Sequence, residues 1–407
     1  MRTHSTPDEW KTPIDAWWAG LLALLLTAGL GAAPANAQPG HATQSLVQGS
    51  FSLAEPYDAP ILPELSAAVT ESQGALMLTS ALTLTETTAS INDTPPLSEL
   101  WQLCDGEAFP TQPTAAFCAG TLIAADLVLT AEHCVPNTRT CQALSVVFDY
   151  RYTSEGALAT LERDDVYACS RVVVSSSTGD YAVVQLDRAV VGRTPATPRF
   201  TDPATCTGVR NNAHVWAAGF PSGVPLKLDV GEPGEGDAAL GVVVTEEDVS
   251  GRRFFRAGFD LFAGMDGGGV FAVRLDEEAD GGVPGVTVEL VGSLSLGRAD
   301  YQRTSEGCYS AVTVDDAGSE LAAHVIQPLI SLCNKTRDYP ELCPATVSRC
   351  FSGNAVEGAD AGMRAFPPQS GCGCRVRGDS PAERSASLAS VGLVLVVAVR
   401  RSRRRAR

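Results

Sequence analysis

The sequence predicts an all-β fold, and three observations point to it. Short apolar runs recur from about residue 99 to Cys333, valine is used heavily within them, and Gly, Pro and Asp stand between them. β-Branched residues favour strands, and short runs separated by turn residues are typical of a sandwich or barrel. In chain order the runs are TLIAADLVLT, LSVVFDY, RVVV, YAVVQL, HVWAAGF, LGVVVT, GVFAVRL and VTVELVGSL.

The last element of this region differs in its pattern. The stretch SELAAHVIQPLISLC, Ser319 to Cys333, has helical character and predicts a C-terminal helix that closes the domain. Proline removes a backbone donor and clashes with the preceding turn. We therefore expect this helix to be broken or kinked at Pro328.

Composition limits the classes of function. The 407 residues carry a formal net charge of −17, although the terminal stretch RRSRRRAR is strongly basic. The rest of the chain is therefore more acidic still. This charge argues against nucleic acid as a partner and favours a soluble, self-repelling extracellular body.

The cysteines indicate the compartment. There are 12 cysteines and 5 histidines, and no cysteine spacing in the main body suggests a zinc ribbon. Scattered cysteines fit disulfides in an oxidising compartment better than metal sites. We therefore expect export, and neither a metal nor a cofactor.

The N-terminal region predicts an export signal followed by a leader. Residues 17–33 form an apolar run, and the small-x-small sequence ANAQ follows, so a signal peptide is expected at 1–37. Its start is atypical because Asp8, Glu9 and Asp15 outnumber the basic residues. Residues 38–98 contain no cysteine and are rich in Ala, Ser, Thr, Leu and Pro. They are interpreted as a leader, propeptide or spacer before a main domain at 99–345.

Three motifs end the chain after a linker at 346–371. They are the GCGC sequence with Cys372 and Cys374, an uncharged run from Ser385 to Val399, and the arginine cluster. The run is shorter than the roughly 20 residues of a membrane-spanning helix. This order resembles the C-terminal sorting signal of myxobacterial surface proteins. The resemblance implies processing or attachment at the cysteines of 372–407, and a location at the cell surface, in the outer membrane or outside the cell.

The first chemical motif is FCAGTLIAADLVLTAEHCV, Phe117 to Val135. Cys118 and Cys134 flank a predicted hairpin, as a disulfide requires, and His133 stands beside the second cysteine. The second motif is GDYAVVQLDR, in which Asp180 precedes an alternating strand 47 residues after His133. Together they resemble the histidine and aspartate motifs of trypsin-like serine proteases of the bacterial secreted type, over roughly Leu103 to Asp315. The resemblance implies two six-stranded antiparallel β-barrels of the chymotrypsin type with a cleft between them.

The third motif departs from the family. In DLFAGMDGGGVF, Asp260 to Phe271, Asp266 stands where the nucleophilic serine belongs. Met265, Gly268 and Gly269 also depart, which a single-codon error would not explain. The resemblance implies an oxyanion hole formed by the N–H groups of Gly264 and Asp266. It also places Asp260 at the base of the primary pocket, where aspartate favours a basic side chain in trypsin-like members.

An aspartate at position 266 changes the expected chemistry. Triad proteases need a hydroxyl that histidine activates, and removing a triad member leaves only residual catalysis. The sequence therefore favours a non-catalytic homologue that binds a peptide or protein partner in the cleft. The alternative is an active endopeptidase that uses an unrecognised nucleophile, or an error at position 266. With Asp180 and Asp266 on either side, His133 is expected to be charged at neutral pH.

Overall fold

The computed structural model describes residues 47–48, 52–200, 208–231, 239–251, 253–275, 285–296, 300–314, 320–344 and 347. The predicted signal peptide, most of the predicted linker, and the sorting segment with Cys372 and Cys374 lie outside these residues. Within the described part, no helix has the length and apolar character needed to cross a membrane.

The first half of the chain supplies twelve of the described strands and three helices. The strands are β1 (Val47–Gln48), β2 (Leu53–Ala54), β3 (Gln73–Leu78), β4 (Leu82–Leu84), β5 (Ala89–Ile91), β6 (Cys118–Ala124), β7 (Leu127–Thr130), β8 (Leu144–Val147), β9 (Tyr152–Ser154), β10 (Ala157–Leu158), β11 (Val166–Ser176) and β12 (Tyr181–Leu186). The helices are α1 (Pro63–Ser72), α2 (Leu97–Trp101) and α3 (Thr138–Cys141).

The second half supplies further strands and one α-helix. The strands are β13 (His214–Gly219), β14 (Lys227–Asp229), β15 (Val242–Val249), β16 (Phe254–Ala257), β17 (Gly269–Leu275), β18 (Val286–Leu296), β19 (Tyr301–Arg303), β20 (Tyr309–Ala311), β21 (Thr313–Val314) and β22 (Glu320–His324). The helix is α4 (Ile326–Lys335), and short 3-10 turns occupy Thr79–Ala81, Arg163–Asp165, Pro221–Gly223 and Pro340–Leu342.

Six strands close into a barrel in the order β11, β12, β7, β6, β3, β8. Strands β6 and β7 are buried along their whole length, because one set of side chains faces the barrel interior and the other is covered by neighbouring elements. The apolar runs that predicted strands here are therefore barrel strands. The predicted all-β class is confirmed for this part of the chain.

The barrel begins upstream of residue 99. Strand β3 pairs with both β6 and β8, with Leu76 opposite Cys118 and Val146. Helix α1 precedes it and buries Leu65 and Val69 completely. The region at 38–98, interpreted as a leader or spacer, thus contains a barrel strand. The run QGALML is short and has no valine or aromatic residue, so its composition did not reveal a strand.

A second, eight-stranded sheet has the order β15, β16, β22, β18, β17, β13, β14, β2. Strand β15 also pairs with β13, where His214 lies opposite Val243. The core of this sheet includes Phe255, Phe259 and Phe271, which are almost completely buried. At one edge, β2 brings residues from the N-terminal region onto β14.

The predicted C-terminal helix is shorter than expected. Residues Glu320–His324 form strand β22, and α4 starts only at Ile326. Pro328 is the third residue of α4, within the first turn, where backbone N–H groups have no intrahelical acceptor. Proline therefore neither breaks nor ends this helix. Tyr181 Oη lies 2.6 Å from Ser331 Oγ, which links α4 to the closed barrel.

Disulfides fasten the loops. The pair expected from the sequence, Cys118 and Cys134, is bonded. The structure also joins Cys104 to Cys308, Cys141 to Cys169, and Cys333 to Cys343. These bonds agree with the oxidising compartment expected from the cysteine content.

Candidate active site

His133 lies just after strand β7, at the point where the chain leaves the barrel. Its neighbour Cys134 is bonded to Cys118 at the start of β6, so the disulfide fixes the loop on the adjacent strand. Thr130 Oγ1 donates to the carbonyl of Ala119 at 2.7 Å and closes the same end of the hairpin. The imidazole remains 43% exposed, so it is open to solvent or a ligand.

Asp180 holds the histidine from one side. Both of its carboxylate oxygens lie 3.0 Å from His133 Nδ1, and the backbone N–H of His133 donates to Oδ1 at 3.2 Å. Ser295 on β18 donates its hydroxyl to Oδ2 at 2.5 Å. Asp180 has a φ of 44°, a left-handed conformation that aspartate tolerates better than most residues. The structure thus brings His133 and Asp180 into direct contact.

Asp266 lies on the other side of the imidazole. Its Oδ1 is 3.8 Å from His133 Nε2, beyond hydrogen-bonding distance but within the range of an ion pair. Ala119 donates its N–H to the carbonyl of Asp266 at 2.8 Å, and Gly267 donates to Leu294 at 2.8 Å. The backbone around Asp266 is therefore held by one strand from the closed barrel and one from the second sheet.

The glycines of this loop are required by its geometry. Gly264 has a φ of 93°, and a Cβ there would collide with the carbonyl oxygen of Phe220. Gly267 has a φ of 85°, and a Cβ there would collide with Ala119 and Thr130. Left-handed backbone and close contacts of this kind select glycine. The shape of the turn that carries Asp266 therefore depends on these two glycines.

The predicted oxyanion donors lie within this turn. Hydrogen bonds from Met265 to Phe262 at 3.0 Å and from Gly268 to Met265 at 2.8 Å fix the backbone. Within the described part of the chain, the N–H groups of Gly264 and Asp266 have no acceptor. They remain able to bind a carbonyl or carboxylate oxygen. The Asp266 carboxylate lies on the same loop, and its charge opposes an anion there.

The two carboxylates determine the charge of the histidine. Partial burial lowers the pKa of His133, but the hydrogen bonds with Asp180 and the charges of Asp180 and Asp266 outweigh burial and raise this pKa to about 10. For Asp180, burial raises the pKa, while His133 and Ser295 lower it by more, so the net shift is downward. An imidazolium between two carboxylates is therefore the expected state at neutral pH.

Asp260 lies at the start of the loop that carries Asp266, next to residues of the N-terminal region. It is 1% exposed, and its Oδ2 accepts hydrogen bonds from the N–H and the hydroxyl of Ser52, each at 2.8 Å. Its own N–H donates to Asp229 Oδ2 at 2.7 Å. The motif spacing predicted the loop on which Asp260 lies, but it could not reveal Ser52 as a partner. This contact does not support selection of a basic side chain by Asp260.

Two features of the site bear on its chemistry. Ser295 was not identified from the sequence as a site residue, and the structure shows that its hydroxyl donates to Asp180. The described residues place no hydroxyl or thiol within hydrogen-bonding distance of His133 Nε2. His133 lies near the sulfurs of Cys118 and Cys134, but these are joined in a disulfide and offer no thiolate to a metal.

Comparison with known proteins finds a similarity to one family model in the central region. Residues 107–270 match the model of the family described as Trypsin. This match supports a trypsin-like serine protease domain, in agreement with the resemblance of the His133 and Asp180 motifs. No curated protein matches the chain.

One similar solved structure is the VesB protease of Vibrio cholerae. It has 16% sequence identity and a TM-score of 0.35 over 69% of this chain. The chain spans about 64% of the length of that protein.

Proposed function

We propose that this chain is a catalytically inactive homologue of trypsin-like serine proteases, which binds a peptide or protein partner in its cleft. One observation carries the proposal. A carboxylate, that of Asp266, occupies the position beside His133 Nε2 where a protease of this family needs a hydroxyl.

The charge of the site supports the same conclusion. A triad protease uses neutral histidine to remove the serine proton, and the histidine becomes charged only during the reaction. Here the pKa of His133 is raised to about 10, so the imidazole already carries its proton at neutral pH. Asp266 needs no activation, but a carboxylate is a weak nucleophile, and its attack on a peptide would form an anhydride. Neither residue therefore fits the role of base or nucleophile for peptide hydrolysis.

The remaining architecture fits a binding protein of this fold. We infer that the second sheet is the second six-stranded barrel, because the pairing of β15 with β13 links the two ends of a six-strand path. The ligand would lie between the two barrels, near His133 and the N–H groups of Gly264 and Asp266. We also infer export with attachment at the cell surface through residues 372–407, which the four disulfides of the described part support.

A fluorophosphonate probe tests the missing nucleophile directly, because it labels only an activated hydroxyl. We expect no labelling of the full chain and no amidolysis of peptide substrates, while an active trypsin-like protease in the same reaction is labelled stoichiometrically. Asp266→Ser restores a hydroxyl, and we expect at most partial labelling because Met265 and Gly269 also depart from the motif. Asp266→Ala is the matched variant that should stay unlabelled.

Stoichiometric labelling of a serine in the unmodified chain would overturn the proposal. It would favour the alternative of an active endopeptidase with an unrecognised nucleophile, and mass spectrometry of the labelled peptide would identify that residue.

A further inference from the structure

A second unusual group of polar residues lies where residues 52–55 meet strand β14 and Asp260. We call this contact the N-terminal seam. Strand β2 pairs with β14, with Leu53 opposite Asp229 and Ala54 opposite Leu228. Val230 donates its N–H to the carbonyl of Ser52 at 3.1 Å. The seam thus fastens the N-terminal region to the second sheet.

The centre of the seam is the hydroxyl of Ser52. It lies 2.5 Å from Asp229 Oδ1 and 2.8 Å from Asp260 Oδ2. A serine hydroxyl has one proton, so it donates to only one acceptor at a time. If both carboxyls were ionised, one of these short contacts would join two lone pairs. The geometry therefore requires a second proton, carried by one of the two carboxyl groups.

The surroundings of Asp229 explain which carboxyl keeps the proton. Its side chain is 0% exposed, and among the described residues its carboxyl contacts are the Ser52 hydroxyl and the N–H groups of Gly231 and Asp260. These are neutral donors, and an ionised carboxylate is costly to bury without a cation. Burial raises the pKa of Asp229 above its ordinary value, and hydrogen bonds from Ser52 and the backbone offset only part of this effect.

Among the described residues, the other elements packed on β14 bring no compensating charge to Asp229. Strand β13 places Ala217 opposite it. The nearest charged groups along the paired strands, Lys227 and Glu55, bind each other at 3.2 Å. Asp260 is the remaining titratable group, and it accepts the Ser52 N–H as well as the hydroxyl. A carboxylate at Asp260 and a carboxylic acid at Asp229 satisfy both contacts of the Ser52 hydroxyl.

We propose that Asp229, Ser52 and Asp260 form a proton-dependent latch. Asp229 keeps its proton and donates it to Ser52 Oγ, and Ser52 donates its own proton to the Asp260 carboxylate. Loss of the Asp229 proton leaves two carboxylates on one hydroxyl and releases residues 52–54 from β14. This inference is independent of the proposed function. Because Asp260 begins the loop that leads to Asp266, release also frees one end of the loop with the candidate oxyanion donors.

The sign of the pH dependence follows from the raised pKa. A carboxyl group whose folded pKa exceeds the unfolded value of about 3.9 holds more protons in the folded state. Its contribution to stability is complete below that value and is lost as pH rises through the folded pKa. A rise in pH through the folded pKa of Asp229 should therefore open the seam, and a pH below this pKa should keep it closed.

The test uses the full chain and the variant Asp229→Asn, whose amide imitates the protonated acid. Infrared difference spectra between the two proteins at pH 7 should show the carbonyl band of a protonated carboxylic acid in the unmodified chain only. Hydrogen exchange at Val230 should lose protection by at least about tenfold from pH 6 to pH 9 in the unmodified chain, because its hydrogen bond to Ser52 opens when Asp229 loses its proton. The variant should keep its protection across this range. Glu86→Gln, which removes an exposed charge outside the seam, is the control and should behave like the unmodified chain.

Absence of the carboxylic acid band at pH 7 would overturn the latch, as would an equal loss of Val230 protection in Asp229→Asn. If Asp229→Asn fails to fold, the spectrum of the unmodified chain titrated through its alkaline range gives the same decision, because only a buried protonated carboxyl loses that band there.

Discussion

The site around His133, which we call the cleft, and the N-terminal seam each place two aspartates around one small polar group. The pKa of an aspartate is shifted in opposite directions in the two places. In the cleft the central group is an imidazole, which takes a proton and becomes a cation, so the pKa of Asp180 is lowered. In the seam the central group is the Ser52 hydroxyl, which cannot carry charge, and the pKa of Asp229 is raised. The group between two carboxyls therefore decides whether they are ionised.

The two regions also differ in how far their polar groups are exposed to solvent. His133 is 43% exposed, so solvent screens its interactions with the two carboxylates. The seam is buried, and there a charge that loses its partner bears the full cost of burial. Substitutions in the seam should accordingly affect stability more than substitutions in the cleft.

The largest effect is expected for Lys227→Met in the seam. Lys227 is 0% exposed, lies 3.2 Å from Glu55, and donates to Gln112 at 2.8 Å. Removing it leaves the Glu55 carboxylate buried without its cation, which should lower the free energy of unfolding by about 3–5 kcal/mol. Chemical denaturation at pH 7 measures this loss.

Arg151→Met is the matched control for that measurement. Arg151 lies 3.0 Å from Asp149, but Arg193 also binds this carboxylate at 2.8 Å, so Asp149 keeps a partner. The control should lose at most about 1 kcal/mol. Equal losses in the two variants would mean that burial does not distinguish the seam from other ion pairs.

His133→Ala in the cleft should have an intermediate effect. Removal leaves Asp180 and Asp266 without their shared cation, and screening limits the expected loss of stability to about 1 kcal/mol. Because the folded pKa is raised to about 10, this loss should be complete below the unfolded value of about 6.5 and should fade as pH rises through 10.

Thermal melting at pH 6 and at pH 10 measures the difference, with His214→Ala on the exposed face of β13 as the control. A His133→Ala chain that melts with the unmodified protein at pH 6 would exclude an ion-pair role for this histidine.

The smallest effect is expected for Asp266→Asn. It is a change in the pKa of His133, which an NMR titration of the imidazole measures. The variant removes the carboxylate at 3.8 Å but leaves Asp180 at 3.0 Å, so the pKa of His133 should fall and still exceed its ordinary value. Asp180→Asn should lower this pKa by more than Asp266→Asn does. The reverse order would show that Asp266, not Asp180, dominates the charge of the cleft.

The cleft could be predicted from the sequence because its residues lie inside local motifs. His133 lies beside Cys134 of the Cys118–Cys134 disulfide, Asp180 directly precedes the apolar strand β12, and Asp266 lies in a glycine-rich loop. The seam could not be predicted, because Ser52 and Asp229 are 177 residues apart and neither lies in a motif. Separation along the chain also explains why the hydrogen bonds of Asp260 were not predicted. The motif spacing identified the loop on which Asp260 lies, but its partner Ser52 lies in the region interpreted as a leader.

The strands of the fold differ in the same way. Some could be predicted from their local sequence, whereas others depend on pairing with distant strands. The valine-rich runs of the closed barrel were predicted as strands, whereas β3 was not, since its identity depends on pairing with β6 and β8. At the C-terminus, the residues of β22 have an apolar, alanine-rich pattern that also suits a helix. Their pairing with β16 and β18 decides in favour of a strand.

The disulfide between Cys104 and Cys308 has a mechanical consequence. It joins residues 204 positions apart, so tension applied to the two ends of the domain passes through the bond and bypasses the chain between them. About 690 Å of extended polypeptide, at roughly 3.4 Å per residue, is thereby shielded from force. Strand β3 lies outside the shielded loop. It is therefore the strand of the closed barrel that bears the load first when the protein is stretched.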